Sequence, residues 1–184
     1  MTGGPDAAFV HEPLTQVHGA LCAPPAQVMP HIGDARLKQL LQAWDGWRGA
    51  RTLPSRADFR PEELRSLLGH LFLLDIVAAE TGLRFRYRLF GSAVTVYRGF
   101  DLTGRFLDQH PDPHFAARAH QAYLQAVQAR QPLWANVRGA TATGMSANFE
   151  GLILPLAQDG ETADMVLSAQ IMTQAPTVET PLAG

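Results

Sequence analysis

Large apolar residues recur at helical spacing soon after the first thirty positions. Five of them fall on one helical face: Leu37, Leu40, Leu41, Trp44 and Trp47. Asp34 stands just before this run and is a favourable N-cap residue, so we predict a helix that begins there. Because tryptophan is enriched at interfaces, this face has two interpretations. It either covers the protein's own sheet, or it forms an interface with a second copy or another protein.

A shorter apolar stripe follows the first helix. Pro61 suits the first position of a helix, and Leu64, Leu67 and Leu68 would share one side of it. We therefore predict a second, short helix. The two helices define an N-terminal helical segment over residues 34–69.

The pattern then changes to strands. Residues 71–77 are apolar except for Asp75, a turn follows at 80–82, and residues 83–90 alternate between apolar side chains and arginines. This pattern predicts a β-hairpin. Asp75 would lie opposite Arg86, where a cross-strand ion pair explains both charges.

Short helices and turns lead from the hairpin to the longest predicted helix, at about 114–130. Asp112 and Pro113 provide its N-cap and first position. Three further strands are predicted at 133–138, 147–156 and 163–172.

This order of elements predicts an α+β fold: a five-stranded antiparallel sheet with helices across one face, preceded by the N-terminal helices. The main domain covers residues 70–173. We expect flexible tails at 1–33, where prolines and glycines interrupt any periodicity, and at 174–184.

Composition excludes several classes of protein. The 184 residues carry 15 basic and 17 acidic side chains, and this balance argues against a nucleic-acid partner. The single cysteine, Cys22, excludes an intramolecular disulfide and a zinc site built from several thiolates. No apolar run is long enough for membrane insertion, and the N-terminus lacks the pattern of a secretory signal. We therefore expect a soluble, cytoplasmic protein.

Several local motifs occur together in a distinctive order. They are residues 44–49 (WDGWRG), 54–59 (PSRADF), 67–75 (LLGHLFLLD), 85–91 (FRYRLFG) and 101–104 (DLTG). Over residues 35–173 the chain resembles a family of standalone bacterial PAS-like domain proteins. The resemblance implies a PAS fold, a cytoplasmic location and a sensory or protein-interaction role. It implies no defined ligand or activity.

The cofactors of the wider PAS superfamily can be compared with the residues present. Residues 104–109 (GRFLDQ) resemble the flavin-binding motif of LOV photosensors, but Gly104 stands where the photoactive cysteine would be. Cysteinyl-flavin photochemistry is therefore excluded. Three histidines near the crossing could be considered for haem or a metal: His110, His114 and His120. No carboxylate accompanies them at the spacing of metal ligands, and histidines at helix starts are usually solvated, so we expect neither a metal nor haem. The sequence identifies no cofactor: we expect none, and a non-covalently bound flavin stays open as the alternative.

A PAS-like sheet with helices across it leaves a concave space between them. Seven residues are candidates to line that cavity: Leu74, Tyr87, Tyr97, Phe106, Tyr123, Trp134 and Phe149. Tyrosine and tryptophan combine an apolar body with a polar group, as ligand pockets require. The alternative is that these side chains fill the core and leave no room for a ligand.

No kinase, nucleotide-cyclising or DNA-binding segment is recognisable in the sequence. We therefore expect a sensory or adaptor module that acts in signal transduction. It would form a homodimer and bind an unidentified signalling protein, and a small ligand could occupy its cavity. One alternative is a small acid–base enzyme using the same cavity, with four candidate carboxylates: Asp75, Asp101, Asp108 and Glu150. The sequence shows neither paired carboxylates nor a Ser/His/Asp set, so we expect no catalysis. The other alternative is a structural interaction domain without a ligand.

Overall fold

A six-stranded antiparallel sheet forms the centre of the molecule, which the computed structural model describes from residue 16 to residue 177. The strands are β1 (Gln16–Cys22), β2 (Leu71–Ala79), β3 (Gly82–Phe90), β4 (Leu133–Ala140), β5 (Ser146–Leu156) and β6 (Met165–Thr177). Their order across the sheet is β1-β4-β5-β6-β2-β3, and all neighbours pair antiparallel. The predicted α+β class is confirmed, with one strand more than the five expected.

Between residues 16 and 177, four α-helices and four 3₁₀ segments connect or cover the strands. The helices are α1 (Pro25–Val28), α2 (Ala35–Arg48), α3 (Ser92–Arg98) and α4 (Pro113–Ala129). The 3₁₀ segments are Met29–His31, Arg56–Asp58, Pro61–His70 and Leu107–Gln109. Asp34 and Asp112 accept backbone hydrogen bonds at the starts of α2 and α4, as predicted. The second predicted helix is instead a 3₁₀ segment, kinked at Leu64. No helix within residues 16–177 is long and apolar enough to cross a membrane.

The sixth strand comes from the region predicted to be a flexible tail. The prediction of a tail over residues 1–33 is wrong from Gln16 onward, because β1 pairs with β4 at the sheet edge and α1 follows it. Most of the strand is exposed, so it lacks the alternation that marks a half-buried strand in a sequence. Residues 1–15 lie outside the described residues. The tail predicted at 174–184 begins too early, since β6 continues to Thr177, and residues 178–184 are also outside the described part.

Helix α2 lies on one face of the sheet, which we call the α2 face. Leu37, Leu40, Leu41 and Trp44 are almost completely buried there, and the Trp44 Nε1 donates a hydrogen bond to the Pro155 carbonyl at 2.9 Å. Their apolar partners come from β5 and β6 and include Leu152, Leu154, Leu156, Leu167 and Ile171. The interface prediction for these four side chains is therefore wrong: the helix covers its own sheet, which was the other interpretation.

Trp47 is the fifth member of that predicted interface and differs from the other four. It is only half-buried and packs edge-on against Phe59, with ring centroids 5.5 Å apart. Its Nε1 donates to the exposed Glu63 carboxylate at 3.3 Å. Trp47 thus lies at the rim of the core.

A buried carboxylate attaches the chain before α2 to the sheet. Glu150 of β5 is 2% exposed. Its two oxygens accept hydrogen bonds from the backbone amides of Gly33 and Asp34 at 2.7 and 2.8 Å, and from the Trp134 Nε1 at 2.6 Å. Buried carboxylates are tolerated when hydrogen bonds replace their hydration, and Glu150 meets that condition.

The β2–β3 hairpin contains the predicted ion pair. The Arg86 guanidinium lies 2.9 Å from the Asp75 carboxylate, and Arg88 reaches the same carboxylate at 2.8 Å. Both arginines can do so because strand alternation places them on the same side of β3. The register shifts at this point and leaves Arg88 as an extra residue opposite Leu73 and Leu74. The shift also breaks the expected alternation. Leu89 is 46% exposed, and Phe90 is buried in its place.

Replacing Trp44 tests whether the α2 face is core or interface. We expect Trp44→Ala to lower the free energy of unfolding in urea by about 3–5 kcal/mol, because it leaves a large cavity and an unpaired buried carbonyl. Trp47→Ala is the matched control and should cost about 1 kcal/mol. A Trp44→Ala protein with wild-type stability and an altered oligomeric state would contradict the core assignment.

Replacing Glu150 tests the attachment of the N-terminal segment. Glu150→Gln puts an amide donor where an oxygen now accepts an N–H, and should cost about 2–4 kcal/mol of unfolding free energy. The amides of Gly33 and Asp34 should also exchange with deuterium faster. Glu62→Gln, at an exposed position, is the control. Unchanged exchange at both amides would show that the carboxylate does not hold this segment.

Candidate ligand cavity

A cavity of about 500 Å³ lies on the other face of the sheet, beneath α3 and α4. Pockets that enclose small molecules usually measure about 300–1,000 Å³, so this space is large enough for a ligand. We call this side of the sheet the cavity face. All six strands contribute residues to the lining.

Aromatic and aliphatic side chains form most of the cavity wall. Phe72, Tyr87 and Phe90 pack together at one end, with ring centroids 4.9–5.8 Å apart. Leu133 and Ile153 form part of the sheet side. Such a wall suits an apolar group of a ligand, because the burial of apolar surface is favourable and does not require a particular orientation of the two groups.

The entrance lies between α4 and the edge strand β1. Val17 and Ala20 of β1 line the cavity, as do Gln121 and Gln125 of α4, and all four residues are exposed. The strand that the sequence analysis missed therefore supplies one side of the opening. The two glutamines give the rim hydrogen-bonding groups.

Two arginines line the cavity. Arg98 of α3 packs its guanidinium over the Phe149 ring at 4.1 Å, and its Nη2 donates to the Gln170 side chain at 3.0 Å. Burial lowers the pKa of Arg98, and the nearby tyrosines and Asp112 oppose that shift. Arg118 of α4 is half-buried, and its Nε and Nη2 are buried without a hydrogen-bond partner.

Two tyrosines present protonated hydroxyls in this environment. Burial raises the pKa of Tyr87 well above its usual value and raises that of Tyr123 to about 12. A hydrogen bond with Ser168 opposes the shift at Tyr123. Both phenols remain neutral at physiological pH, so they can serve as hydrogen-bond donors and not as bases.

His110 closes the cavity beside the start of α4. Its ring lies between Phe100 and Phe115, at centroid distances of 4.9 and 4.4 Å, and its Nδ1 accepts the Asp112 backbone N–H at 2.9 Å. Burial lowers the pKa of His110 to about 4. The imidazole is therefore neutral at pH 7.

Only part of the predicted lining set is found at the cavity. Tyr87 and Tyr123 line it. The other five pack elsewhere: Leu74, Tyr97, Phe106, Trp134 and Phe149. Leu74 is fully buried in the core beneath α4. Tyr97 stacks on Phe149 at 5.4 Å and donates its hydroxyl to the Gln170 carbonyl, so both rings fill space beside the cavity.

Trp134 and Phe106 lie outside the cavity for different reasons. Leu133 and Ala135 line the cavity, so strand alternation places Trp134 between them on the α2 face, where it reaches Glu150. Phe106 lies under the Arg84 guanidinium, 3.7 Å from the ring centroid to Cζ, and Arg84 also pairs with Asp108.

Sequence reasoning missed the polar residues of the cavity. The helices α3 and α4 carry four of them: Arg98, Arg118, Gln121 and Gln125. The apolar positions of a helix predict its buried face, but the polar positions on that same face indicate the cavity. Arg118, Ala122 and Gln125 are spaced at i, i+4 and i+7 on α4, a stripe that a helical wheel would have identified.

The four carboxylates considered for acid–base catalysis do not line the cavity. Asp75 is paired with two arginines, and its hydrogen bonds with them hold its pKa below the usual value despite partial burial. Asp108 pairs with Arg84 at the surface, and the exposed Asp101 accepts the Thr103 amide. Glu150 is buried on the α2 face.

The remaining candidate ligands of a metal or haem are dispersed. His114 is exposed, and the His120 Nε2 donates a hydrogen bond to the Leu83 carbonyl at 2.8 Å. Within residues 16–177 no group of three or more histidine, cysteine or acidic residues could hold a metal ion. Cys22 lies in β1 and is half-buried, and burial raises the pKa of its thiol.

Comparison with known proteins gives one family and several distant structures. A family model described as a PAS domain matches residues 33–171. No curated protein matches the chain. Among solved structures, the PAS domain of a protein from Colwellia psychrerythraea is similar at a TM-score of 0.44 and 10% identity, covering 62% of this chain and 96% of that one.

Two light-oxygen-voltage proteins are also similar in structure. An RNA-binding light-oxygen-voltage receptor has a TM-score of 0.43 and 13% identity, covering 65% of this chain and 34% of its own. A fungal LOV domain photoreceptor has a TM-score of 0.36 and 18% identity, covering 56% of this chain and 73% of its own.

The buried imidazole makes stability depend on pH. In the unfolded chain a histidine titrates near 6.5, whereas folded His110 titrates near 4, so the unfolded state binds more protons between these values. Stability from this residue is complete above pH 6.5 and falls as the pH falls through the window. The variant His110→Asn keeps an acceptor for the Asp112 amide but removes the titrating group. Between pH 7 and pH 4.5, we expect its free energy of unfolding in urea to fall by about 2 kcal/mol less than that of wild type.

His114→Asn, at an exposed position in the first turn of α4, is the control for removing an imidazole from this region. Equal losses of stability in wild type and His110→Asn would show that His110 does not titrate in the folded protein as its burial requires.

Proposed function

Because the chain belongs to the PAS domain family, we propose that it is a sensory module that binds a small molecule in the cavity and relays binding through protein–protein contacts. PAS domains are generally sensory modules. The observation that carries the ligand-binding part is the cavity itself, an apolar space of about 500 Å³ with an entrance between α4 and β1. A domain that served only as a structural element would gain stability by filling it.

A route for the signal follows from the elements around the entrance. Helix α4 and strand β1 each have one side at the cavity and another side exposed to solvent. A ligand that contacts both α4 and β1 would favour one distance between these elements. A partner protein bound to their solvent-exposed sides would respond to that distance. The partner in this proposal is an unidentified signalling protein, and a second copy of the chain forms a homodimer. We place this activity in the cytoplasm.

The proposal is one of binding and not of catalysis. The cavity has hydrogen-bond donors in its tyrosines and arginines, whereas none of the candidate carboxylates reaches it. The ligand is a non-covalently bound small molecule, and no resident cofactor or metal is part of the proposal.

A cavity-filling variant tests this function. Ala122 lines the cavity on α4, and Ala122→Leu would occupy part of the space. We expect the neutral dye N-phenyl-1-naphthylamine to fluoresce on binding wild type, with affinity reduced about tenfold in Ala122→Leu. Ala129→Leu makes the same change at an exposed position of the same helix and should bind the dye like wild type.

Native mass spectrometry of the protein as purified complements the dye experiment. A discrete additional mass that is present in wild type and depleted in Ala122→Leu would support the proposal and identify the ligand. A protein that binds no dye and carries no added mass would overturn it in favour of a ligand-free interaction domain.

A further inference from the structure

The cavity contains positive charge that no carboxylate within it balances. Its lining includes Arg98 and Arg118, whereas none of the described lining residues is an aspartate or a glutamate. His110 adds no charge at pH 7, since burial lowers its pKa to about 4. Asp112, which is outside the lining, favours the charged form of Arg98, and one of its carboxylate oxygens also accepts the His114 and Phe115 amides at the start of α4.

The two arginines differ in how their nitrogens are used. Arg98 is held by Gln170 and by the Phe149 ring. The Nε and Nη2 of Arg118 are buried and have no partner. Buried donors without an acceptor are uncommon in native proteins, because losing water without a replacement hydrogen bond is unfavourable.

The same pair of nitrogens binds a carboxylate elsewhere in this chain. Arg84 donates from Nε and Nη2 to the two oxygens of Asp108, both at 2.8 Å. Arg36 donates from the same atoms to the two oxygens of Asp34, at 3.0 and 2.8 Å. This side-on fork matches the geometry of a carboxylate, and in Arg118 the fork is empty.

We infer that the ligand is an amphipathic organic acid whose carboxylate pairs with Arg118 and whose apolar body lies against the aromatic wall. This inference rests on the proposed function and names the ligand class for the same cavity. The position of Arg118 supports it, because α4 places this residue one helical turn before Ala122 and two turns before the exposed Gln125 at the entrance. Arg118 and these two lining residues therefore share one face of α4.

A matched pair of ligands separates the acid group from the apolar body. Octanoate and octan-1-ol have the same chain length and differ in the head group. We expect octanoate to displace N-phenyl-1-naphthylamine from wild type at a concentration about tenfold or more below that of octan-1-ol, the range expected for a charge-assisted pair.

Variants assign that preference to one side chain. Arg118→Gln removes the charge and should weaken octanoate binding about tenfold while leaving octan-1-ol within about twofold of wild type. Arg118→Lys keeps the charge but not the fork and should recover part of the loss. Arg65→Gln, at an exposed position, lowers the net charge equally and should change neither ligand.

The outcomes distinguish this inference from the proposed function. If the dye binds but octanoate and octan-1-ol displace it equally, or if Arg118→Gln binds octanoate like wild type, the acid-ligand inference is overturned and the cavity function stands. If neither the dye nor either ligand binds wild type, the cavity function fails and the inference fails with it. Loss of dye binding by Arg118→Gln would assign Arg118 a structural role and also overturn the inference.

Discussion

The sheet carries apolar side chains on both faces, and each face has to be shielded from water. Along β5, Leu152, Leu154 and Leu156 point to the α2 face, and Phe149 and Ile153 point to the cavity face. On the first side, α2 supplies leucines and a tryptophan that pack against the sheet. On the second side, α4 places Ala119 and Ala122 at the cavity, where larger side chains would have filled it. The small side chains of α4 therefore leave room for the cavity.

Glu150 links the two sides. Its carboxylate binds the amides that precede α2, and through Trp134 it also contacts the strand whose alternate residues, Leu133 and Ala135, line the cavity. Strand β1 pairs with that same strand and forms one side of the entrance. The strand that β1 pairs with is therefore hydrogen-bonded, through Trp134, to the Glu150 carboxylate on the α2 face.

Much of the fold could be predicted because its signals are local. The cap at Asp34, the helical spacing up to Trp44 and the Asp75–Arg86 pairing depend on residues close in sequence or joined by one tight turn. Strand β1 could not be predicted, because its stability comes from pairing with β4 more than a hundred residues away. The extra residue Arg88 could not be predicted either, because a bulge depends on how two strands pair and not on the hydrophobic pattern of one strand.

The residues that line the cavity were harder to predict than the fold, because they depend on which part of the interior other side chains leave empty. Tyr97 and Phe149 have the chemistry of lining residues, yet they stack on one another and close the space beside Arg98. The charged side chains of the cavity are not explained by packing. Arg84 and Arg86 each have an aspartate of the chain as a partner, and such pairs neutralise themselves. The buried Nε and Nη2 of Arg118 have no such partner, and a buried donor without an acceptor opposes stability unless a bound molecule supplies the hydrogen bond. The charge at Arg118 is thus more informative about the cavity than the aromatic residues, because packing alone explains the rings and does not explain the charge.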